Sequence, residues 1–338
     1  MQNKIPPRAA KSTRALAVLL VVLLATPFLS SAAERTQLRI GTGGENGAYY
    51  PIGSLIAKAI SNRSRTNRGA HRILPIVQRS TGSQANIADI GDGLLEAGLA
   101  QADVVHWAYN AAGPFAGGPP RNNLRTVATL YFENVHLVVH KDSGINQMSD
   151  LVGRLVSVDE VGSGTILNVP FILSAYGLEI SQLKTVFLKP IDAMDRMRAK
   201  QLDAFFIVAG YPVNGVAALV EDGVARLLPI SGPNIDALMK QYPFFTVDRI
   251  PQNTYADSAE VATLAVPAQL IVDAGMDNEL AYQITEELWH SETTRLLIAG
   301  HPKGKDVRFE SAVNGLSAPL HPGAERYYRE KNHPFFEQ

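Results

Sequence analysis

Apolar positions along the chain fall into two alternating patterns. Runs of four to six mostly apolar residues at 73–77, 97–100, 127–131, 135–139, 204–208 and 261–266 have the length and content of buried strands. Shorter strands are expected at 38–41 and 155–158. Between these runs, apolar residues recur at helical spacing, as with Ile52, Leu55, Ile56, Ala59 and Ile60 in a predicted helix over 51–61. The same spacing predicts helices from the turn at 80–83 to 94, from 104, from 165 to about 176, and over 193–200, 213–221 and 276–297. Strands alternating with helices indicate an α/β fold.

Where a predicted strand ends and a helix begins, the residues are small or hydroxyl-bearing. This holds at 41–47, 80–83, 101–103, 162–165 and 209–212. In open α/β sheets the ligand crevice lies outside the carboxyl ends of the strands. The turns form two groups, before and after the 135–139 strand, as if two lobes each supplied one wall of a cleft. Loops rich in Gly, Pro and Asn, or in polar residues, are expected at 110–123 and 62–70.

The first residues change what counts as the folded chain. Lys4, Arg8, Lys11 and Arg14 precede an apolar run over 15–24, and Ser31, Ala32 and Ala33 follow it. That is the layout of a cleavable secretory signal over 1–33, and its apolar stretch is shorter than the roughly 20 residues of a spanning helix. Removing the leader's four basic residues from 31 basic and 32 acidic residues leaves a net charge of −5. No basic stripe remains for nucleic acid. There is no cysteine, hence no disulfide, thiol nucleophile or lipid attachment point. The fold must rest on its core, and chains of about 300 residues bury roughly three quarters of their unfolded surface. Together these features point to a diffusible protein of a Gram-negative periplasm.

The opening stretch LRIGTGGENGAYYPIG carries Gly41, Gly43, Gly44 and Gly47, but neither a dinucleotide fingerprint nor a Walker ending fits. A glycine-rich turn at a helix start still offers bare N–H groups to an anion. Tyr49 and Tyr50 cannot both enter one core face, so one is expected to reach the cleft. Ser80, Thr81, Gly82 and Ser83, with Asn86, form a second donor-rich turn, with more hydroxyls than capping requires. Gly162, Ser163, Gly164 and Thr165 form a third, which does not match a nucleophile elbow. His136 and His140 are about 13 Å apart if extended, and no metal site or catalytic triad is assembled. Asp89 with Asp92 and Asp159 with Glu160 read as solvated acids. No cofactor is expected.

LRIGTGGENGAYYPIG, STGSQANI, QAD, LYFENVHLVVHKDSGI, VSVDEVGSGT, LDAFFIVAGYP and HPGAERYY occur in order along the chain. Together they resemble the TAXI family, the extracytoplasmic solute receptors of TRAP-type transporters. The resemblance implies a two-lobed periplasmic binding protein with two crossing strands. The first lobe would be 34–136 with 259–338 and the second 137–258, with the crossings at 135–139 and 261–266. It implies capture of a small carboxylate or amino acid, dicarboxylate or glutamate-like, and its transfer to an ion-gradient-driven membrane permease, without catalysis. By position the ligand walls would be Gly43, Gly44, Tyr49, Tyr50, Ser80, Thr81, Gly82, Ser83, Asn86 and Gln101 from one lobe. Ser163, Gly164, Thr165 and Tyr211 would come from the other, with His136 near the hinge. Glu45 and Arg79 depart from the family pattern and bear on the ligand's charge. The expected grip is by backbone N–H groups and neutral hydroxyls. A sensory receptor reading the same closure, or an enzyme on the same fold, are the alternatives.

Overall fold

A computed structural model of the chain describes residues 1–3, 35–45, 47–66 and 72–336. The expected leader beyond its first three residues, Asn46 and the 67–70 part of the expected surface loop lie outside the described residues. In chain order the first elements are β1 (Arg35–Gly41), α1 (Tyr49–Thr66), β2 (Arg72–Gln78), α2 (Ser83–Gly91), β3 (Ala97–Gln101) and α3 (Ala102–Asn110). Then come β4 (Leu124–His140), β5 (Leu155–Ser157), α4 (Thr165–Ala175), β6 (Lys184–Val186), α5 (Pro190–Arg198), β7 (Ala204–Ala209) and α6 (Asn214–Glu221). The remainder is β8 (Ala225–Leu228), α7 (Pro233–Gln241), β9 (Thr246–Ile250), β10 (Val261–Asp273), α8 (Asn278–Leu288), α9 (Ser291–Gly300) and α10 (Pro322–Glu330).

The strands form one mixed sheet in the order β2-β1-β3-β10-β4-β7-β5-β6, with β8 on β4 and β9 on β10. β1 is parallel to β2 and β3, and β5 is parallel to β6 and β7, so each half is built of βαβ units. β4 and β10 join the halves. β4 pairs with β10 up to Asn134, opposite Ala265, and from there onward with β7 and β8. β10 pairs with β9 up to Ala265 and afterwards with β4 and β3.

The core follows the same division. One hydrophobic cluster joins β1, α1, the first part of β4, the second part of β10 and α8 to α10. Two others gather the second part of β4 with β5, β7, α4 and α7, and with α5 and α6. In α1 the i, i+4 series Ile52, Ile56 and Ile60 is buried to within 1 %, and each such side chain contributes about 1.5–3 kcal/mol. β3 and β7 are buried along their whole length, as strands covered on both faces are.

Several expected boundaries move. The strands read at 127–131 and 135–139 are one 17-residue strand. The polar Glu133–Asn134 step that divided them on paper is itself buried. The 261–266 strand continues to Asp273 through Pro267, and register shifts follow at Ala268/Gln269 and Leu270/Ile271. The helix read over 276–297 is two. His290 breaks it, because its ring accepts from the Glu292 N–H and caps α9. α2 ends at Gly91 rather than 94, and its N-cap is Gly82 with no side-chain cap bond. β6, β8, α7, β9 and α10 were not read from the pattern; the first two are only 3 and 4 residues long.

Candidate functional site

Every glycine- or hydroxyl-rich turn singled out above sits at the carboxyl end of a strand, and most of them meet around one cavity of about 630 Å³. One wall is the loop after β1, the β2–α2 turn, Gln101 at the end of β3, and Glu133 from β4. The facing wall is the β5–α4 loop, the start of α5 and the end of β7. The walls touch at the rim. The Ala85 N–H donates to the Gly162 carbonyl at 3.0 Å, and the Asn168 amide donates to the Asp103 carboxylate. Further out the Trp107 ring of α3 stacks on Phe171 of α4 at 4.6 Å.

Two glycines allow that approach. Gly162 has φ 96° and Gly82 φ 123°, conformations that L side chains rarely adopt. A Cβ at Gly162 would also run into the Thr81 hydroxyl, and one at Gly82 would stand 3.4 Å from the Ser163 Cα. The residues at the starts of α2 and α4 border the cavity from opposite walls. The first-turn N–H groups of a helix have no intrahelical partner and favour negative charge.

Of the residues singled out from sequence, Gly43, Gly44, Tyr49, Ser80, Thr81, Gly82, Ser83, Gln101, Ser163, Gly164 and Thr165 border this cavity. Tyr50, Asn86, His136 and Tyr211 do not. Tyr50 turns outward beneath the Arg79 guanidinium, 5.1 Å from its ring centre. Asn86 is fully buried and donates to the Thr42 and Leu99 carbonyls at 2.7 Å, tying the β1 loop to β3. His136 is enclosed, with Nε2 2.8 Å from the Tyr255 hydroxyl and Nδ1 2.9 Å from the Asn134 carbonyl. Burial lowers its pKa to about 4 and keeps it neutral. The Tyr211 ring carries the Lys303 ammonium 3.7 Å from its centre.

Several hydroxyls are already engaged. The Ser80 hydroxyl donates to the Thr42 carbonyl at 2.8 Å and accepts from the Gly82 N–H at 3.0 Å. Thr165 accepts from the Val208 N–H at 3.1 Å, and Ser163 from the Ile166 N–H at 3.3 Å. Both of these hydroxyls also lie close enough to the Asp159 carboxylate to lower its pKa. Ser83 accepts from the Gln101 N–H at 3.0 Å and stands 3.3 Å from the Tyr49 hydroxyl.

The charged residues missed are acids and one base, Lys189 beside α5. Asp159, read as solvated, is only 7 % exposed and borders the cavity. Burial raises its pKa to about 6 against the pull of the Glu160 N–H and the two hydroxyls. Glu133 was not singled out at all. It is 2 % exposed, and its Oε2 has no partner among the described residues. Burial, with a smaller push from Asp103, raises its pKa to about 8 despite the nearby Tyr49 hydroxyl and Lys303. The signal was present: a lone acid inside a long apolar run. At the rim Glu45 and Arg79 pair with each other at 2.8 Å, both largely exposed. Among the described residues no group of three or more His, Cys, Asp or Glu could hold a metal ion.

The fold is similar to that of the alkanesulfonate-binding protein SsuA from Xanthomonas axonopodis pv. citri bound to MOPS. The two share 17 % identity over 88 % of this chain and 85 % of that one, with a TM-score of 0.51. It is also similar to a structure described as a periplasmic transporter, with 12 % identity over 91 % and 96 % of the chains and a TM-score of 0.51. At such identities the likeness is one of architecture, the two-lobed α/β fold of solute-binding proteins. Residues 40–331 match the NMT1-like family, and the chain belongs to that family.

Proposed function

We propose that the protein is a periplasmic solute-binding protein that captures a small organic acid or amino acid between two lobes and delivers it to an ion-gradient-driven TRAP permease. One observation carries the binding step. Two helix N-termini from opposite walls border a single cavity at the carboxyl ends of the strands. In this reading the lobes are 34–136 with 259–338 and 137–258, and they hinge where β4 and β10 part, near Asn134 and Ala265. Ligand favours the closed form because only there do both sets of donors reach it. Four to six hydrogen bonds, each netting about 0.5–3 kcal/mol, support roughly micromolar affinity after the costs of association.

Export is supported by the leader layout, and among the described residues no helix is long and apolar enough to cross a membrane. The permease type is supported by the ordered TAXI-like motifs. A thermal-shift screen of carboxylates, sulfonates and amino acids against the 34–338 protein tests the reading, followed by X-ray scattering with the hit. The expected result is a stabilised, more compact particle, and a several-fold weaker hit with Ser83→Ala. A hit that leaves the particle uncompacted and the Ser83→Ala affinity unchanged refutes the cleft. Uptake that follows ATP rather than the ion gradient refutes the TRAP assignment.

A further inference from the structure

The cavity borders contain two buried acceptors that nothing among the described residues satisfies: Glu133 Oε2 and Gln101 Oε1. Both side chains are at most 3 % exposed. Unmatched buried acceptors are costly, and of the ten buried polar side-chain atoms without a partner among the described residues these two are the ones that border the cavity. The two belong to neighbouring parts of the same wall, where α1 also presents the Tyr49 hydroxyl. On the facing wall the buried acid is better served, because Asp159 accepts from the Glu160 N–H at 2.8 Å and has the Ser163 and Thr165 hydroxyls close by. The unmet demand is therefore local, and it is a demand for donors.

We infer that Glu133, with Gln101, is the specificity-determining pair of this site, and that it reads an ammonium group on the ligand. This rests on the cleft being the binding site, as proposed above. An ammonium carries three N–H donors and no acceptor, which suits two acceptors on one face of the sheet: Gln101 lies opposite Ala268 of β10, and Ala268 opposite Tyr131, two residues before Glu133. The ligand's carboxylate is then left for the helix N-termini of α2 and α4. The bound species is a zwitterion of the amino-acid type, and a ligand carrying a second carboxylate in place of the ammonium is discriminated against. Such a dianion sets like charges together and still leaves the Gln101 oxygen without a donor.

The cation whose charge reaches Glu133 is Lys303, and it makes no hydrogen bond to the carboxylate. Tyr49 faces it from α1, Tyr131 from its own strand and Asp103 from α3. Lys303, on the turn Pro302–Asp306, is occupied by the Tyr211 ring and by Asp306 at 3.5 Å. In the empty cavity at neutral pH the carboxyl holds its proton, since burial puts its pKa at about 8. Ammonium binding makes the carboxylate the favoured form, so the carboxylic acid and the ligand's ammonium become an ion pair and one proton passes to solvent. A carboxylate ligand accepting a hydrogen bond from the protonated Glu133 does the reverse and holds that proton more tightly.

The test uses matched probes, L-glutamate with glutarate and L-leucine with 4-methylpentanoate, titrated calorimetrically at pH 7 in buffers of different ionisation heat. The better-fitting amino acid is expected to bind at least tenfold tighter than its des-amino partner and to release close to one proton. Glu133→Gln is expected to weaken the amino acid about tenfold or more, abolish the proton release and leave the des-amino compound within about threefold. Tighter binding of the des-amino acids, proton uptake, or an unchanged preference in Glu133→Gln overturns the inference. A crystal of the tightest complex separates the premises. A probe outside the cavity refutes the cleft itself, whereas a probe inside it with the nitrogen turned away from Glu133 refutes only the reading of that residue.

Discussion

The two walls of the cavity each bury an acid, and they treat it in opposite ways. Asp159 sits in the β5–α4 loop with φ 74°; the Glu160 N–H already bonds its carboxylate, and two hydroxyls stand close to it. Glu133 sits in the middle of β4, where the strand's own N–H and C=O groups are spent on β10, and no donor among the described residues bonds its Oε2. A loop can bend its amides toward a charge; a central strand cannot. One wall is thus complete in itself, and the other waits for a partner. The second wall is where the ligand's character is decided.

The contrast is broken most sharply by pH. An acid whose folded pKa lies above its unfolded value contributes stability while protonated, and that contribution is lost as pH rises between the two values. For Glu133 the window runs from about 4.5 to about 8. Between pH 4.5 and 7 the ligand-free protein should lose about 3 kcal/mol through this group. Asp159 and Asp103, raised to about 6 and about 7, act in the same sense, so the informative quantity is the difference from Glu133→Gln. Urea unfolding at pH 4.5, 6 and 7.5 should show a flatter dependence in the variant. Parallel curves would mean that Glu133 is solvated, and the contrast would fall.

Asp159→Asn comes next. Asparagine tolerates the left-handed backbone there but loses the charge and one acceptor oxygen that the Glu160 N–H and the two nearby hydroxyls face. The expected loss is about 2 kcal/mol in urea unfolding at pH 7, against less than about 1 kcal/mol for Glu133→Gln, where a neutral carboxyl gives way to a neutral amide. Equal losses would show that both acids are held alike.

Much of this was legible from residues. The β/α alternation, the turns at strand ends and the two-group arrangement follow from apolar period and glycine placement, and they bring eleven of the fifteen singled-out residues to the cavity rim. Four were placed elsewhere because chain position does not reveal which way a side chain turns. Asn86 and His136 are used up by backbone and Tyr255, partners distant in sequence. Glu133 was passed over because pattern reading treats an acid inside an apolar strand as an interruption. Burial turned that interruption into the acid whose pKa rises furthest among the shifted acids at the cavity, and burial is a tertiary property. Asp159 was misjudged for the same reason.

Gly162→Ala sharpens the comparison from the complete wall. The positive φ should cost about 1–2 kcal/mol of stability whether the jaw is open or shut. The new methyl meets Thr81 only when the walls touch. Affinity for the screened ligand should therefore fall by more than the stability loss alone explains, about tenfold, with scattering showing a particle that no longer compacts fully. Unchanged affinity would mean that the rim contact is incidental to binding.

The smallest effect is expected at the rim pair. Arg79 and Glu45 lie 2.8 Å apart with side chains about 60 % exposed, and exposed pairs contribute about 0–1 kcal/mol. They also neutralise each other where a charged ligand would enter. Arg79→Ala should therefore shift stability by less than about 1 kcal/mol, part of it from the lost stacking on Tyr50. It should change affinity by less than about threefold, and added salt should shrink even that. An affinity loss well beyond tenfold in Arg79→Ala would place the ligand's carboxylate on the guanidinium. The anion would then belong to the rim of the incomplete wall, and the helix N-termini would lose their role.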